Sequence, residues 1–174
     1  FAREGADIVI NYRSHADEAQ AVAEEIRTLG RRAIICQADV ADRQAVDAMV
    51  QATVDEFGRI DIAVANAAIS IRKPFLELTN DDMETVISVS LMGVFNVTQA
   101  CAGVMADTKT AGNLLVISSP HAAIPFATSV PYNTCKAGIN HMTHTIADEL
   151  RTAKIRANVI EPGWIDTPGE REYS

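Results

Sequence analysis

Tyr132 and Lys136 stand four residues apart, and Tyr132 follows Ser119 by thirteen residues; Ser119 itself closes the apolar run Leu114, Leu115, Val116, Ile117. Residues i and i+4 share one face of a helix. A strand ending in a hydroxyl, a loop, and a helix carrying Tyr and Lys therefore bring three polar groups over one small volume. A lysine cation beside a phenol favours the phenolate, and a tyrosine, whose ordinary pKa is about 10, then exchanges its proton closer to neutrality. Tyr132 is on that basis a candidate general acid/base. Tyr and Lys at this spacing are common on amphipathic helices, so the pair gains its meaning from the rest of the chain. In order come Ala38-Asp39-Val40 closing one apolar run, Asn66-Ala67-Ala68 closing another, Ile117-Ser118-Ser119, the Tyr132 and Lys136 pair, and Pro162-Gly163-Trp164-Ile165-Asp166-Thr167.

Elements that position these residues can be read from periodicity. Residues 7–11 form a short β-type run. Ser14 then reads as a helix N-cap with Asp17 three residues on, a weak capping box, and Ala16, Ala19, Val22, Ala23, Ile26 and Leu29 follow at helical spacing up to Gly30. Strands are expected at 33–37, 60–65, 113–118 and 155–160. Helices are expected at 42–57, with Val46, Met49, Val50 and Val54 inward, at 80–106 behind a Thr79 cap, and at 130–152. Near-continuous apolar strands alternating with helices predict an α/β fold, a doubly wound parallel sheet covered on both faces, in a single domain spanning 1–174.

Composition narrows the function classes. Net charge is −8 with 15 scattered Lys and Arg, which disfavours nucleic acid or an anionic membrane as partner. Cys36, Cys101 and Cys135 lack a paired spacing and fit reduced thiols in the cytoplasm. The sequence shows no run approaching the roughly 18 apolar residues of a membrane span. His141 and His144 lie i,i+3 with no third ligand at a recognisable spacing, so no metal site is expected. Phe1 to Ala6 reads as a helix end with a Gly stop, and the start of the domain is expected to lie before it.

Together these motifs resemble the short-chain dehydrogenase/reductase family, in family order and spacing over essentially the whole sequence; the wording at 11–14, 119–125 and 164–171 is most similar to its bacterial glucose 1-dehydrogenase type. The resemblance implies a Rossmann-type domain with strand order 3-2-1-4-5-6-7, in which this sequence is an internal fragment lacking the first strand with its Gly-rich loop and the C-terminal strand and lid. It implies Ser119, Tyr132 and Lys136 as the catalytic set, with Ser119 preferred to Ser118 by its separation from Tyr132. It puts Ser90 where an Asn is usual in a water relay to the lysine, leaving open whether Ser weakens that relay or suffices.

Cofactor contacts follow from the same alignment. Asp39 and Val40 fall at the adenine, Asp39 alternatively being a loop cap. Asn66, Ala67 and Ala68 form the cofactor-facing turn, with Ala68 where Gly is usual, and Pro162, Gly163, Ile165 and Thr167 meet the nicotinamide carboxamide. Tyr132 and Lys136 also contact the cofactor. Arg13 and Ser14, with no acid in the run 11–14 and a helix start nearby, favour NADP with NAD possible. His121 is a candidate substrate contact beside Ser119 and Tyr132. The expected protein is an NADP-preferring oxidoreductase acting on a small carbonyl or secondary alcohol, such as a sugar or polyol. The rival is a catalytically weak, cofactor-binding member with a regulatory or assembly role. The resemblance further implies a homotetramer built through the helices at 80–106 and 130–152.

Overall fold

The structure, a computed structural model, describes residues 1–166. Each expected strand is present. β1 (Ile8–Tyr12) pairs in parallel with β2 (Ala33–Gln37), Ile8 opposite Ala33 and Tyr12 opposite Gln37. β3 (Ile62–Ala65), β4 (Asn113–Ile117) and β5 (Arg156–Ile160) form a second parallel sheet with β4 central. Leu114 and Val116 of β4 are fully buried, as expected of a strand covered on both faces.

The helices are α1 (Ala16–Thr28), α2 (Arg43–Phe57), α3 (Asn80–Ile87), α4 (Val94–Asp107) and α5 (Val130–Glu149). Asp42 caps α2 by accepting from the Gln44 and Ala45 N–H groups. Thr79 caps α3 in a full capping box with Asp82, satisfying donors that the first turn leaves unpaired. α3 and α4 run on through a wide π-turn, Ser88–Gly93. Gly93 is required there: a Cβ would lie 2.5 Å from Val40 Cγ2.

Three expectations need correction. The N-cap of α1 is His15, not Ser14, because the helix begins one residue later; Asp17 still meets the positive end of the helix from its first turn. Val22 and Leu29 stay exposed, since the stripe α1 buries is the narrower Ala19, Ala23, Ile26. The segment Asn80–Asp107 is, by length and hydropathy, long and apolar enough to cross a membrane, and 56% of its most apolar window is buried in the protein, where the core uses that apolar character. The strands form two ladders, as expected of a sheet that lacks its first strand in this sequence. β1 and β3 belong to separate sheets and line a common cleft of about 640 Å³, with Ile8 and Val9 on one wall and Ile62 and Val64 on the other.

Candidate active site

Ser119 follows the end of β4, and its Oγ accepts from the His121 N–H at 3.3 Å, turning the chain through the short helical turn Pro120–Ala122. Its neighbour Ser118 is occupied otherwise. The Ser118 N–H donates to the Ile160 carbonyl at 2.8 Å, and its hydroxyl donates to the Lys136 carbonyl at 3.4 Å, tying β4 to β5 and α5. Both serines border the cavity, Ser119 with its hydroxyl in the local turn and Ser118 with its hydroxyl toward α5.

Pro131 near the start of α5 suits a helix N-terminus, where its missing N–H is not needed. One turn in, Tyr132 and Lys136 project together. Lys136 Nζ lies 5.3 Å from the centre of the Tyr132 ring and donates to the Ile117 carbonyl at 2.7 Å. The lysine is 2% exposed, and loss of hydration pulls its pKa down to about 8. Between the two, Cys135 is buried and its thiol is pushed up to about 11 by burial, only partly offset by the Lys136 charge. It packs as a small apolar residue and is no thiolate nucleophile.

Ser119 and Tyr132 line one cavity of about 400 Å³ with His121, Ile69, Arg72 and Trp164. His121 is firmly held. Its ring stacks on Phe126 at 4.0 Å between centres and meets the Tyr132 ring edge-on at 5.5 Å. Asn133 Nδ2 donates to the Phe126 carbonyl at 3.2 Å, which orients the amide so that Oδ1 faces His121 Nδ1 at 2.8 Å. His121 Nδ1 therefore carries the hydrogen, and Nε2 is left as an acceptor. Trp164 closes the aromatic wall, 5.2 Å from Phe126 and 6.1 Å from His121.

Ser90 is fully buried in the π-turn. Its hydroxyl donates to the Ile69 carbonyl at 3.0 Å and accepts from the Ile69 N–H at 2.9 Å. It clamps the segment behind the cavity and makes no direct bond to Lys136.

The expected cofactor residues fall in two groups. Asn66 and Ala67 line the large cleft, Ala68 lines the catalytic cavity, and so this stretch runs from one to the other. Ala68 is not among the residues with positive φ, and its methyl is accommodated without backbone strain. Pro162, Gly163 and Ile165 border the catalytic cavity; Thr167 lies outside the described residues. Asp39 Oδ1 accepts from the Ala41 N–H at 2.9 Å, the loop-capping geometry. Val40 is buried, its carbonyl accepting from Asn96 Nδ2 at 2.9 Å. Arg13 and Ser14 are exposed beyond the end of β1, where the Arg13 carbonyl accepts from Gln37 Nε2 at 3.0 Å. His141 and His144 stand exposed on α5. Sequence reasoning did not single out Phe126, Asn133, Asn96 or Arg72. Asn133, next to Tyr132 and with two local partners, is the one an extended motif could have signalled.

Residues 1–174 match the short chain dehydrogenase family. The protein belongs to that family. This short-chain dehydrogenase is 39% identical over 168 residues to the hydroxy(phenyl)methylsuccinyl-CoA dehydrogenase subunit BbsD of Thauera aromatica, covering 97% of this chain and 66% of the relative. It is 36% identical to the 3beta-hydroxysteroid dehydrogenase 1 of Eggerthella lenta, over 97% of this chain and 64% of that protein. A short chain dehydrogenase from Burkholderia cenocepacia, crystallised in complex with NADP, superposes with a TM-score of 0.89 at 35% identity, covering 96% of this chain and 67% of that one. The chain spans about two thirds of the length of these relatives. Their names cover unlike substrates, so they support the family and not a glucose-type specificity.

Proposed function

We propose that the whole protein is an NADP-preferring oxidoreductase acting on a carbonyl or secondary alcohol. The observation that carries this is the placement of Ser119 and Tyr132 on one cavity with the Lys136 ammonium 5.3 Å from the tyrosine ring. The residues present fit a dinucleotide. The 66–68 stretch runs to the catalytic cavity, Lys136 is a buried donor 5.3 Å from the Tyr132 ring, and Arg13 supplies an exposed cation at a strand end without a competing acid in 11–14. NADP bound to the Burkholderia relative supports the same choice. Arg13 and Ser14 would take the 2′-phosphate, Asp39 and Val40 the adenine, and Pro162, Gly163 and Ile165 the carboxamide end, with Thr167 beside them.

Bound nicotinamide supplies or accepts the hydride. The chain's own groups handle the proton. In reduction the Tyr132 hydroxyl gives its proton to the substrate oxygen while the Ser119 hydroxyl donates a hydrogen bond to that oxygen; in oxidation the tyrosine takes the proton back. Lys136 places a positive charge where negative charge develops on the phenol oxygen. His121 Nε2 accepts from a substrate hydroxyl. Ser90 acts by holding Ile69 at the back of the cavity. By family resemblance we also assign a cytoplasmic homotetramer built through α4 and α5.

The rival reading, a binding member without turnover, draws on Ser90, whose hydroxyl is committed to Ile69 and away from Lys136. Tyr132→Phe in the full-length protein separates the two. Turnover should fall by about 10²–10⁴ with cofactor affinity unchanged, because only the proton-exchanging hydroxyl is lost. A variant keeping a tenth or more of wild-type kcat refutes the role assigned to Tyr132.

A further inference from the structure

His121 borders the catalytic cavity with one ring nitrogen already engaged, and Asn133 decides which one. Asn133 stands in the first turn of α5, directly after Tyr132, where asparagine is a poor helix former. Its side chain serves the neighbouring loop instead. Nδ2 donates to the Phe126 carbonyl at 3.2 Å, and Oδ1 faces His121 Nδ1 at 2.8 Å. Turning the amide over would set Oδ1 against the Phe126 carbonyl, two acceptors with no hydrogen between them, so its orientation is fixed. A carboxylate at this position would favour the doubly protonated ring, in which both nitrogens donate. The amide oxygen carries no such charge. It takes the Nδ1 hydrogen and leaves Nε2 its lone pair.

The ring is held in place by its neighbours. Phe126 stacks on it 4.0 Å away between centres with 7° between the planes, and Tyr132 meets it edge-on at 5.5 Å. The loop that supplies Phe126 is anchored in turn, the Thr128 carbonyl accepting from the Lys73 N–H at 2.9 Å. The His121 N–H donates to Ser119 Oγ at 3.3 Å, so a single residue adjoins both Ser119 and Tyr132, the two groups proposed to meet the reacting oxygen. An acceptor fixed so close to the reaction centre selects what the rest of the substrate presents. A ketone or ether oxygen there would face a lone pair, whereas a hydroxyl would donate to it.

We propose that Asn133 is a positioning residue acting through the His121 tautomer, and that it makes the protein specific for a substrate with a second hydroxyl on a carbon beside the reacting one. That substrate is a hydroxy ketone in reduction and a vicinal diol in oxidation. The inference rests on the oxidoreductase reading for the reacting oxygen between Ser119 and Tyr132. In reduction the ketone carbon gains the hydride of NADPH and its oxygen the Tyr132 proton; the second hydroxyl keeps its hydrogen throughout. The wall formed by Phe126 and Trp164 takes the apolar remainder, and a cavity of about 400 Å³ suits a small molecule.

Three ketones on the same phenyl group test it in the full-length protein with NADPH: 2-hydroxyacetophenone, 2-methoxyacetophenone, which keeps the oxygen and loses the donor, and acetophenone. kcat/KM should be about 5- to 100-fold higher for the hydroxy ketone than for the other two, the range for an acceptor left without its donor. Asn133→Val should bring that ratio close to one. Asn133→Asp, at neutral pH, should shift preference to the methoxy ketone by making Nε2 a donor. Nitrogen NMR at mildly alkaline pH, with the His121 signals assigned by their loss in His121→Phe, should show the hydrogen on Nδ1 and a bare Nε2 that responds to the hydroxy ketone and not to acetophenone. Equal kcat/KM for the three ketones, a hydrogen on Nε2 in the wild type, or a ratio that Asn133→Val leaves intact overturns the proposal. If none of the three is turned over, a silent Nε2 signal overturns it as well, whereas a responding Nε2 signal shows the subsite filled and fails only the reading under Proposed function.

Discussion

The two sheets are built to different depths. The three-stranded sheet sits in a continuous core that includes Val46 of α2, Met105 of α4, Leu114 and Val116 of β4, and Ile139 of α5, all fully buried. The two-stranded sheet has a separate small cluster of Ala23, Ile26 and Ala33, with Ile8, Ile10 and Ile35 only partly covered. The proton-handling residues stand on the deep core and Arg13 on the shallow one. The proposed proton chemistry, which requires fixed geometry, is thus supported by dense packing, whereas the residue proposed to choose the cofactor stands on the thinner half. Their coupling runs through Val40, against which Gly93 packs and to which Asn96 donates, and through Arg43, which reaches Gln99 at 2.6 Å.

The largest test of this contrast is a matched pair of truncations in the full-length protein. Leu114→Ala should lose about 2–5 kcal/mol, as for a fully buried aliphatic, and Ile10→Ala a comparable amount where the first strand implied by the family order fills the cleft, but no more than ~1.5 kcal/mol where the cleft stays open and the side chain partly buried. Chemical denaturation measures both. Equal losses would mean that the cleft is filled in the whole protein and the shallow half has become core.

Lys136 sharpens the contrast from the deep side. Its folded pKa of about 8 lies below the ordinary 10.5. Between those values the unfolded chain holds a proton that the folded chain does not, so stability should rise with pH, by ~3 kcal/mol across the window. Cys101 and Cys135, raised to about 11 from 9, act in the opposite sense above pH 9. Cys101 is common to wild type and Lys136→Met, and making the comparison in a Cys135→Ala background removes the thiol that the lysine charge lowers, so the difference between the two stability curves isolates the lysine. Parallel curves from pH 8 to 10.5 would place its ammonium in water.

The smallest effect expected is on the shallow side. Arg13→Ala should raise the KM for NADPH by about tenfold and leave NADH use unchanged, the loss of one charge-assisted contact. Equal losses with both cofactors would make the arginine structural.

Much of this was legible in the sequence where one local rule dominates. Residues 33–37 are a strand as expected, Thr79 caps its helix because Asp82 stands three residues on, and Ser119, Tyr132 and Lys136 converge because a strand end and a helix face must meet. The hidden parts depend on irregular backbone. His121, Phe126 and Asn133 come together through a loop containing Thr128 at φ 64°, a conformation that no periodicity announces. Ser90 looked like a relay member by position, and only the π-turn shows its hydroxyl spent on Ile69. The aspartate at 39 had two readings in the sequence, and the described bond is the local one to Ala41.

Trp164 is the single tryptophan of this sequence, and it borders the catalytic cavity with its ring against Phe126 and His121. Its emission overlaps the near-ultraviolet absorption of a dihydronicotinamide. A reduced cofactor seated beside Tyr132 would therefore drain the indole's excited state by resonance transfer, and the oxidised form would not. The chain thus carries an optical gauge of its own redox occupancy.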